Sequence, residues 1–506
     1  MPAITSATLV GIDGAAVEVE VRISSQLPRV DIVGLPEAAV RESTARVRAA
    51  IAAAGFRFPD RRVTVNLAPA NLRKSGAGLD LPIAVGVLAA TGDVPCEATT
   101  ATGFVGELAL DGRLRRVQGS LALSLAMRDA GCRRIVVPAA NAAEAVLAPG
   151  VQVLPARDLV AVVRHLTCEN ELQPAQQPAD FSSEAILPCL ELQDVSGQER
   201  AKRALAVAAA GGHALFLFGP PGSGKTMLAQ RLPGLLPPLT FAEALEVTRI
   251  LGATGLLDED ALLPRVRPFR APHHSTSRAG LLGGGSPPRP GEVSLAHRGV
   301  LFLDELPEFE RRTLEALRQV LETRCAVISR ARHTCTFPAH FQFTAAANPC
   351  PCGWRGSLSR DCTCSDEAVA NYAARVSGPL LDRIDLHVAV PGVTWSELER
   401  GPAGASSADI RAQVLAARQR QEQTLAPLGI VTNAEIPDAA LEEYIRAASE
   451  ARRLLGRSVE RFGLSARAAR RALRVARSIA DLAGEAKVGL AAMAEALSYR
   501  REGTRS

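Results

Sequence analysis

Aromatic residues are scarce: two Trp, three Tyr and fourteen Phe make up 4% of the 506 residues. So few rings exclude base stacking as the main way this chain would hold a nucleic acid, and leave phosphate contact for that task. Long apolar runs are missing too. No stretch reaches the roughly eighteen uninterrupted apolar residues of a membrane span, and the start MPAITSATLVGIDG lacks a basic segment followed by an apolar one. Neither a membrane anchor nor a secretory signal is expected, so the cytoplasm is the expected location. Ten Cys are too few and scattered for a disulfide framework, and in a reducing compartment metal binding or plain burial is the better explanation. Charge excess is also small. A formal net charge of +5 permits contact with a polyanion without demanding it.

What is present is a globular composition, 47% hydrophobic and 22% charged, in a chain long enough for about three domains. Residues 1–168 alternate β-branched runs such as AAVEVEVRI and RVTVNLAP with Ala-rich helical segments, which predicts an α/β domain. The polar, Pro- and Gln-containing ENELQPAQQPADFSSEA then predicts a linker over 169–187. Strand and helix signals alternate again over 188–395. From 396 to 506 the pattern is almost entirely helical, with Arg recurring through LSARAARRALRVARSIADL.

The densest motif is GPPGSGKT, comprising Gly219, Pro220, Pro221, Gly222, Ser223, Gly224, Lys225 and Thr226. It follows the apolar HALFLF and precedes the helical MLAQRL, the strand, loop and helix order a phosphate cradle requires: glycines let backbone amides face phosphate oxygens at a helix N-terminus. Lys225 would reach the β- and γ-phosphates, and Thr226 would ligate magnesium. Downstream, GVLFLDE ends an apolar strand in Asp304 and Glu305, one carboxylate for the magnesium shell and one for the attacking water. After a second apolar strand, FQFTAAAN, Asn348 stands where an amide would orient that water; a turn-capping Asn before Pro349 is the alternative.

These residues resemble the AAA+ ATPases. The resemblance makes Asn348 the sensor 1 residue and DVSGQERAKRAL the segment wrapping the adenine. SGPLLDRIDLHV is similar to the segment of the magnesium-chelatase and replicative-helicase branch that carries an arginine finger, here Arg383. LSARAARRALRVARSIADL resembles the lid helix with sensor 2, here Arg467. Simple ion pairing is the alternative for both. A finger acts on a neighbour's nucleotide, so the resemblance implies a homo-hexameric ring.

VNLAPANLRKSGAGLDLPIAVGVLAATG and GFVGELALDGRLRRVQGSLALSLAMRDAGCRRIVVP resemble the Lon-type proteolytic fold, the ribosomal S5 domain 2-like α/β fold. By that likeness the nucleophilic serine falls at Ala77 or Gly78 and the lysine at Leu121, neither able to do the chemistry. Ser75 and Lys74 are neighbours along the chain and are not expected to form a dyad. A Lon-like domain, a chelatase-type AAA+ core and an Arg-rich helical lid together resemble the bacterial ComM/YifB competence-protein family, from residue 1 to about 500, with RPFRAPHHSTSRAGLLGGG and HRGVLFLDELPEF as its most specific blocks. The family implies an ATP-driven DNA helicase that promotes branch migration when single-stranded DNA is integrated in natural transformation and homologous recombination, acting on single-stranded and branched DNA beside recombination proteins. A metal-insertion motor like the magnesium chelatase ATPase subunit is the alternative, and an ATP-dependent protease is disfavoured by the missing dyad.

TRCAVISRARHTCTFPAHFQF predicts a hairpin. In the related helicases such a hairpin points into the ring pore, so Arg330 and Arg332 are the DNA-binding candidates, against an ordinary solvated hairpin. The insert around Arg270, His273, His274 and Arg278 is a second candidate, its two His able to ligate a metal or simply to pack. Cys350, Cys352, Cys362 and Cys364, two CxC pairs nine residues apart, suit a closed structural zinc site; incidental reduced thiols are the alternative.

Overall fold

Every second residue of RVTVNLA is buried, namely Val63, Val65 and Leu67, as in a strand with one face on a core. In the computed structural model, which describes residues 2–176, 190–257, 263–330, 333–357, 360–399 and 404–501, this strand belongs to a seven-stranded mixed sheet. Its members are β1 (Ala3–Val10), β2 (Asp13–Ser24), β3 (Arg29–Val33), β4 (Arg62–Ala68), β5 (Thr102–Phe104), β6 (Arg134–Pro138) and β7 (Gln152–Ala156), in the order β3-β4-β2-β1-β5-β6-β7. β1, β5, β6 and β7 run parallel, while β2 is antiparallel to both β1 and β4.

Ile4 and Ala7 stand an odd number of residues apart on β1, hence on opposite faces, and they enter different cores. Ile4 packs with Val47 and Ile51 of α1 (Ser43–Ala53) and with Leu81, Val85 and Leu88 of α2 (Asp80–Thr91), Ala7 with Leu123 and Met127 of α3 (Ser120–Asp129). A helix from later in the chain, Phe241–Thr254, joins this unit: its Leu245 packs against a small cluster of Leu121, Leu147 and Ala148. The first unit is therefore Met1–Glu184 with Phe241–Pro264 and Pro287–Pro290, and the second is Ala185–Thr240, Arg265–Ser286 and Gly291–Ser506. Two segments inside the predicted 188–395 block thus fold with the N-terminal domain, because the helix needs the apolar face of α3 to cover its own.

The second unit is built on a parallel sheet of β8 (Leu215–Phe218), β9 (Phe269–Arg270), β10 (Val300–Leu303), β13 (Gln342–Ala347) and β14 (Leu386–Ala389), in the order β9-β10-β13-β8-β14. Strands β11 (Cys325–Arg330) and β12 (His333–Pro338) form a separate antiparallel hairpin with Arg330 opposite His333. Arg332 and the side chain of Arg330 lie outside the described residues. The C-terminal region is helical, as predicted, and includes α8 (Ser407–Leu425), α9 (Ser449–Phe462), α10 (Ala466–Leu482) and α11 (Leu490–Arg501). Its Val414, Val475 and Met493 share one core with Val207 of α4 (Glu199–Gly211) and Leu228 of α5 (Lys225–Leu235). Burying such a side chain is worth about 1.5–3 kcal/mol each, so the lid helices are part of the body they cover. Among the described residues no helix is long and apolar enough to cross a membrane.

Candidate nucleotide site

Parallel register decides what meets at the sheet edge. Phe218 pairs with Ala347 and Leu303 with Ala345, so the residues that follow, Gly219, Asn348 and Asp304, emerge together at the carboxyl ends of three adjacent strands, where open α/β sheets place ligands. Gly222 and Gly224 hold φ of +74° and +91°, a conformation that costs a side chain energy and that glycine adopts freely. Gly224 thereby caps α5 and leaves its first amides facing the loop.

Lys225 is buried, and its Nζ donates to the carbonyl oxygens of Gly219 and Pro220 at 2.8 Å each and to Asn348 Oδ1 at 3.2 Å. Burial lowers its pKa, with Asp304 and Glu305 working in the opposite direction. Thr226 Oγ1 donates to Asp304 Oδ2 at 2.6 Å. Two hard oxygens so placed fit magnesium, which takes one or two protein oxygens and fills the rest with water and phosphate. Gln198, from the predicted adenine-wrapping segment, donates its amide to Ser223 O at 3.3 Å and to Pro391 O at 2.6 Å, tying that segment to the loop.

Glu305 has φ +51°, a left-handed strain worth about 1–3 kcal/mol in a residue with a side chain and concentrated at functional sites. His274 Nδ1 lies 3.2 Å from its Oε2. The ring of His274 sits 4.0 Å from that of His273 and edge-on to Phe309, while His273 Nδ1 meets Ser275 Oγ at 2.8 Å. Sequence reasoning did not foresee this pairing, which needs β9 beside β10. Arg270 makes a two-pronged pair with Glu292 at 2.7 and 2.8 Å, and Arg278 is exposed.

Arg383 is nearly buried and pairs with Glu322 of α6 (Arg311–Thr323). Its Nη1 donates to Pro379 O at 2.6 Å. Arg467 is exposed in the first turn of α10, and the Arg one turn further on engages the core: Arg471 Nη1 donates to Arg383 O and to Asp385 Oδ1, both at 2.7 Å. Burial would raise the Asp385 carboxyl, but the Arg471 charge and the His213 hydrogen bond hold it well below the usual range.

The four cysteines of the quartet come together, their sulfurs all within 4.8 Å of one another. In the first unit, a Cβ on Gly78 would lie 3.3 Å from Val105 Cγ2, Leu121 is fully buried, and the Lys74 ammonium donates to Pro69 O. Ser75 N and O meet the Thr8 hydroxyl, at 3.2 Å each.

Comparison with known proteins matches residues 191–398 to the family model for magnesium chelatase, subunit ChlI, residues 19–141 to subunit ChlI of Mg-chelatase, and residues 404–500 to the ChlI C-terminal model. An uncharacterised protein of Mycobacterium tuberculosis is 45% identical over 98% of this chain and 97% of its own length. YifB of Escherichia coli, also uncharacterised, is 43% identical over 97% and 95%. Competence protein ComM of Haemophilus influenzae is 42% identical over 97% of this chain and 95% of that protein. The chain belongs to the ComM/YifB family. This ComM/YifB protein also shares 28% identity over 158 residues with Lon protease 2 of Bacillus subtilis, 30% of this chain and 28% of that one. Its second unit is a magnesium-chelatase-like AAA+ module, a family placement that implies ATP and magnesium.

Proposed function

We propose that this ComM/YifB member is the subunit of a homo-hexameric, ATP-driven DNA motor that promotes branch migration as single-stranded DNA is integrated in natural transformation and homologous recombination. The observation that carries it is the convergence of Lys225, Thr226, Asp304, Glu305 and Asn348 at three adjacent strand ends. Lys225 holds the β- and γ-phosphates, and Thr226 with Asp304 would hold the magnesium ion that neutralises their charge. Glu305 takes a proton from the attacking water, Asn348 orients that water, and Arg383 of a neighbouring subunit steadies the charge on the transferring phosphoryl group. Arg467 contacts nucleotide from the lid, and the quartet holds a structural zinc ion. Residues 1–168 serve as a Lon-like domain without protease chemistry, joined by the 169–187 linker to the ATPase core of 188–395, less the two segments that fold with the first unit, and to the lid of 396–506. The setting is cytoplasmic, with recombination proteins as partners.

DNA contact falls to Arg330 and Arg332 at the end of the β11–β12 hairpin, where backbone phosphates offer a sequence-independent grip. Single-stranded DNA is expected to accelerate ATP hydrolysis and to bind in a salt-dependent way, and Arg330→Ala/Arg332→Ala is expected to keep DNA-free hydrolysis while losing the acceleration. A protein that hydrolyses ATP at one rate with and without DNA and binds none would favour the second reading, a metal-insertion motor, which rests on the chelatase likeness.

His274 acts on Glu305. Its 3.2 Å contact holds the carboxylate to one side, so His274→Ala is expected to raise DNA-free ATP turnover and shrink the ratio of DNA-stimulated to basal rate, with nucleotide affinity unchanged. Equal ratios in wild type and variant would remove His274 from the account.

A further inference from the structure

The cysteine quartet does not stand apart from the nucleotide site. Cys350 follows Asn348 by two residues, and the turn after Cys352 passes directly over the phosphate loop. Gly353 has φ +83°, and a Cβ there would come within 2.8 Å of Pro221 Cδ and 3.9 Å of Asn348 Cγ. The knuckle backbone is thus packed against one residue of GPPGSGKT and lies near the sensor candidate.

Sulfur distances of 3.4 Å between Cys350 and Cys352, and 3.6 Å from each of these to Cys362, are far too long for disulfides of about 2.05 Å. They are close to the edge of roughly 3.8 Å that a tetrahedron with zinc–sulfur arms of about 2.3 Å requires. A space this small suits one ion and leaves no room for an iron–sulfur cluster. Two of the sulfurs also receive a backbone N–H at 3.4 Å, Cys350 from Arg355 and Cys364 from Cys352. Backbone donors aimed at sulfur suit metal-bound thiolates, whose outer partners fix the ligand geometry. Arg355 pairs with Asp366 at 3.0 Å where both are exposed, a contact worth little. On the far side, Arg375, just beyond α7 (Asp366–Ala373), donates to Glu308 Oε2 at 2.9 Å, three residues past Glu305.

We propose that Cys350, Cys352, Cys362 and Cys364 hold one zinc ion in a closed four-thiolate site that braces the phosphate loop through Gly353 and Pro221, so that metal occupancy sets the affinity for ATP. The inference rests on the nucleotide-site reading above and adds to it a regulatory coupling. Loss of the ion frees the knuckle, Pro221 loses its backing, and the loop amides lose their aim at phosphate.

The test uses the full chain, a metal assay after protein denaturation, and the equilibrium binding of a fluorescent ADP analogue. Wild type is expected to carry one zinc per chain. Removal of the ion with a mercurial and a chelator should weaken analogue binding by roughly tenfold or more, a size that small misplacements of binding groups produce, and zinc with a thiol reductant should restore it. Gly353→Ala should keep its zinc yet bind the analogue similarly weakly, since the added methyl must displace Pro221. Chains that carry no zinc, or that bind the analogue equally with and without it, overturn the proposal. Zinc-loaded wild type that binds no analogue at all overturns the nucleotide-site reading beneath it.

Discussion

Glu305→Gln is expected to lower ATP turnover by roughly 10²–10⁴-fold, the span a positioned general base contributes, while nucleotide and DNA binding persist. The amide matches the carboxylate in shape and leaves the left-handed backbone at Glu305 as it is. It also keeps an oxygen or nitrogen within reach of His274, so the loss reports on proton transfer and not on folding. Thr226 and Asp304 stay bonded at 2.6 Å, which preserves the oxygens offered to magnesium. The check is a phosphate-release assay beside equilibrium binding of a fluorescent ATP analogue. Turnover within about threefold of wild type would remove Glu305 as the base, and parallel loss of binding would recast it as a structural residue.

Arg383→Ala should reduce turnover by roughly 10³-fold or more, within the range an arginine finger supplies, and should leave ATP affinity unchanged. In the single chain Arg383 is held by Glu322, its side chain only 7% exposed, so acting as a finger would require it to leave that partner when a neighbour offers phosphate. Glu322 is 57% exposed and regains water when the Arg is removed, which keeps the stability cost small. A subunit-mixing experiment separates finger from strut. Lys225→Ala and Arg383→Ala chains, each inactive alone, should recover activity together, because a ring can then unite an intact Lys225 pocket with a neighbour's intact Arg383. No recovery, with a lowered melting temperature for Arg383→Ala, would make Arg383 a structural residue of its own chain.

The phosphate loop was readable because its eight residues are contiguous and their strand and helix neighbours lie beside them in the chain. Asp304 and Asn348 were readable for a related reason: each ends an apolar strand, and parallel register brings such ends together. The mixed α/β sheets and the helical C-terminal region followed from the same periodicities. The pairing of His274 with Glu305 and the burial of Arg383 against Glu322 depend on which strands and helices become neighbours in space, information that local pattern does not contain. Arg471 was hidden among six Arg between 467 and 500, identical in sequence terms to Arg467 until Asp385 selects one of them. The helix Phe241–Thr254 looked like a continuation of the ATPase core because amphipathic periodicity shows that a helix needs a partner without saying which one. In the quartet, spacing suggested the metal, whereas the N–H donors and the approach of Gly353 to Pro221 exist only in the folded loop.

The measurement that bears most directly on the central claim is ATP-dependent movement of a labelled three-strand DNA junction by the purified protein, followed on a native gel. Wild type should convert branched substrate to product only with ATP, Glu305→Gln should bind the junction without moving it, and Arg330→Ala/Arg332→Ala should hydrolyse ATP and stall. Wild type that turns over ATP while leaving every junction where it began, and retaining none of it in the gel, would contradict the DNA-motor reading.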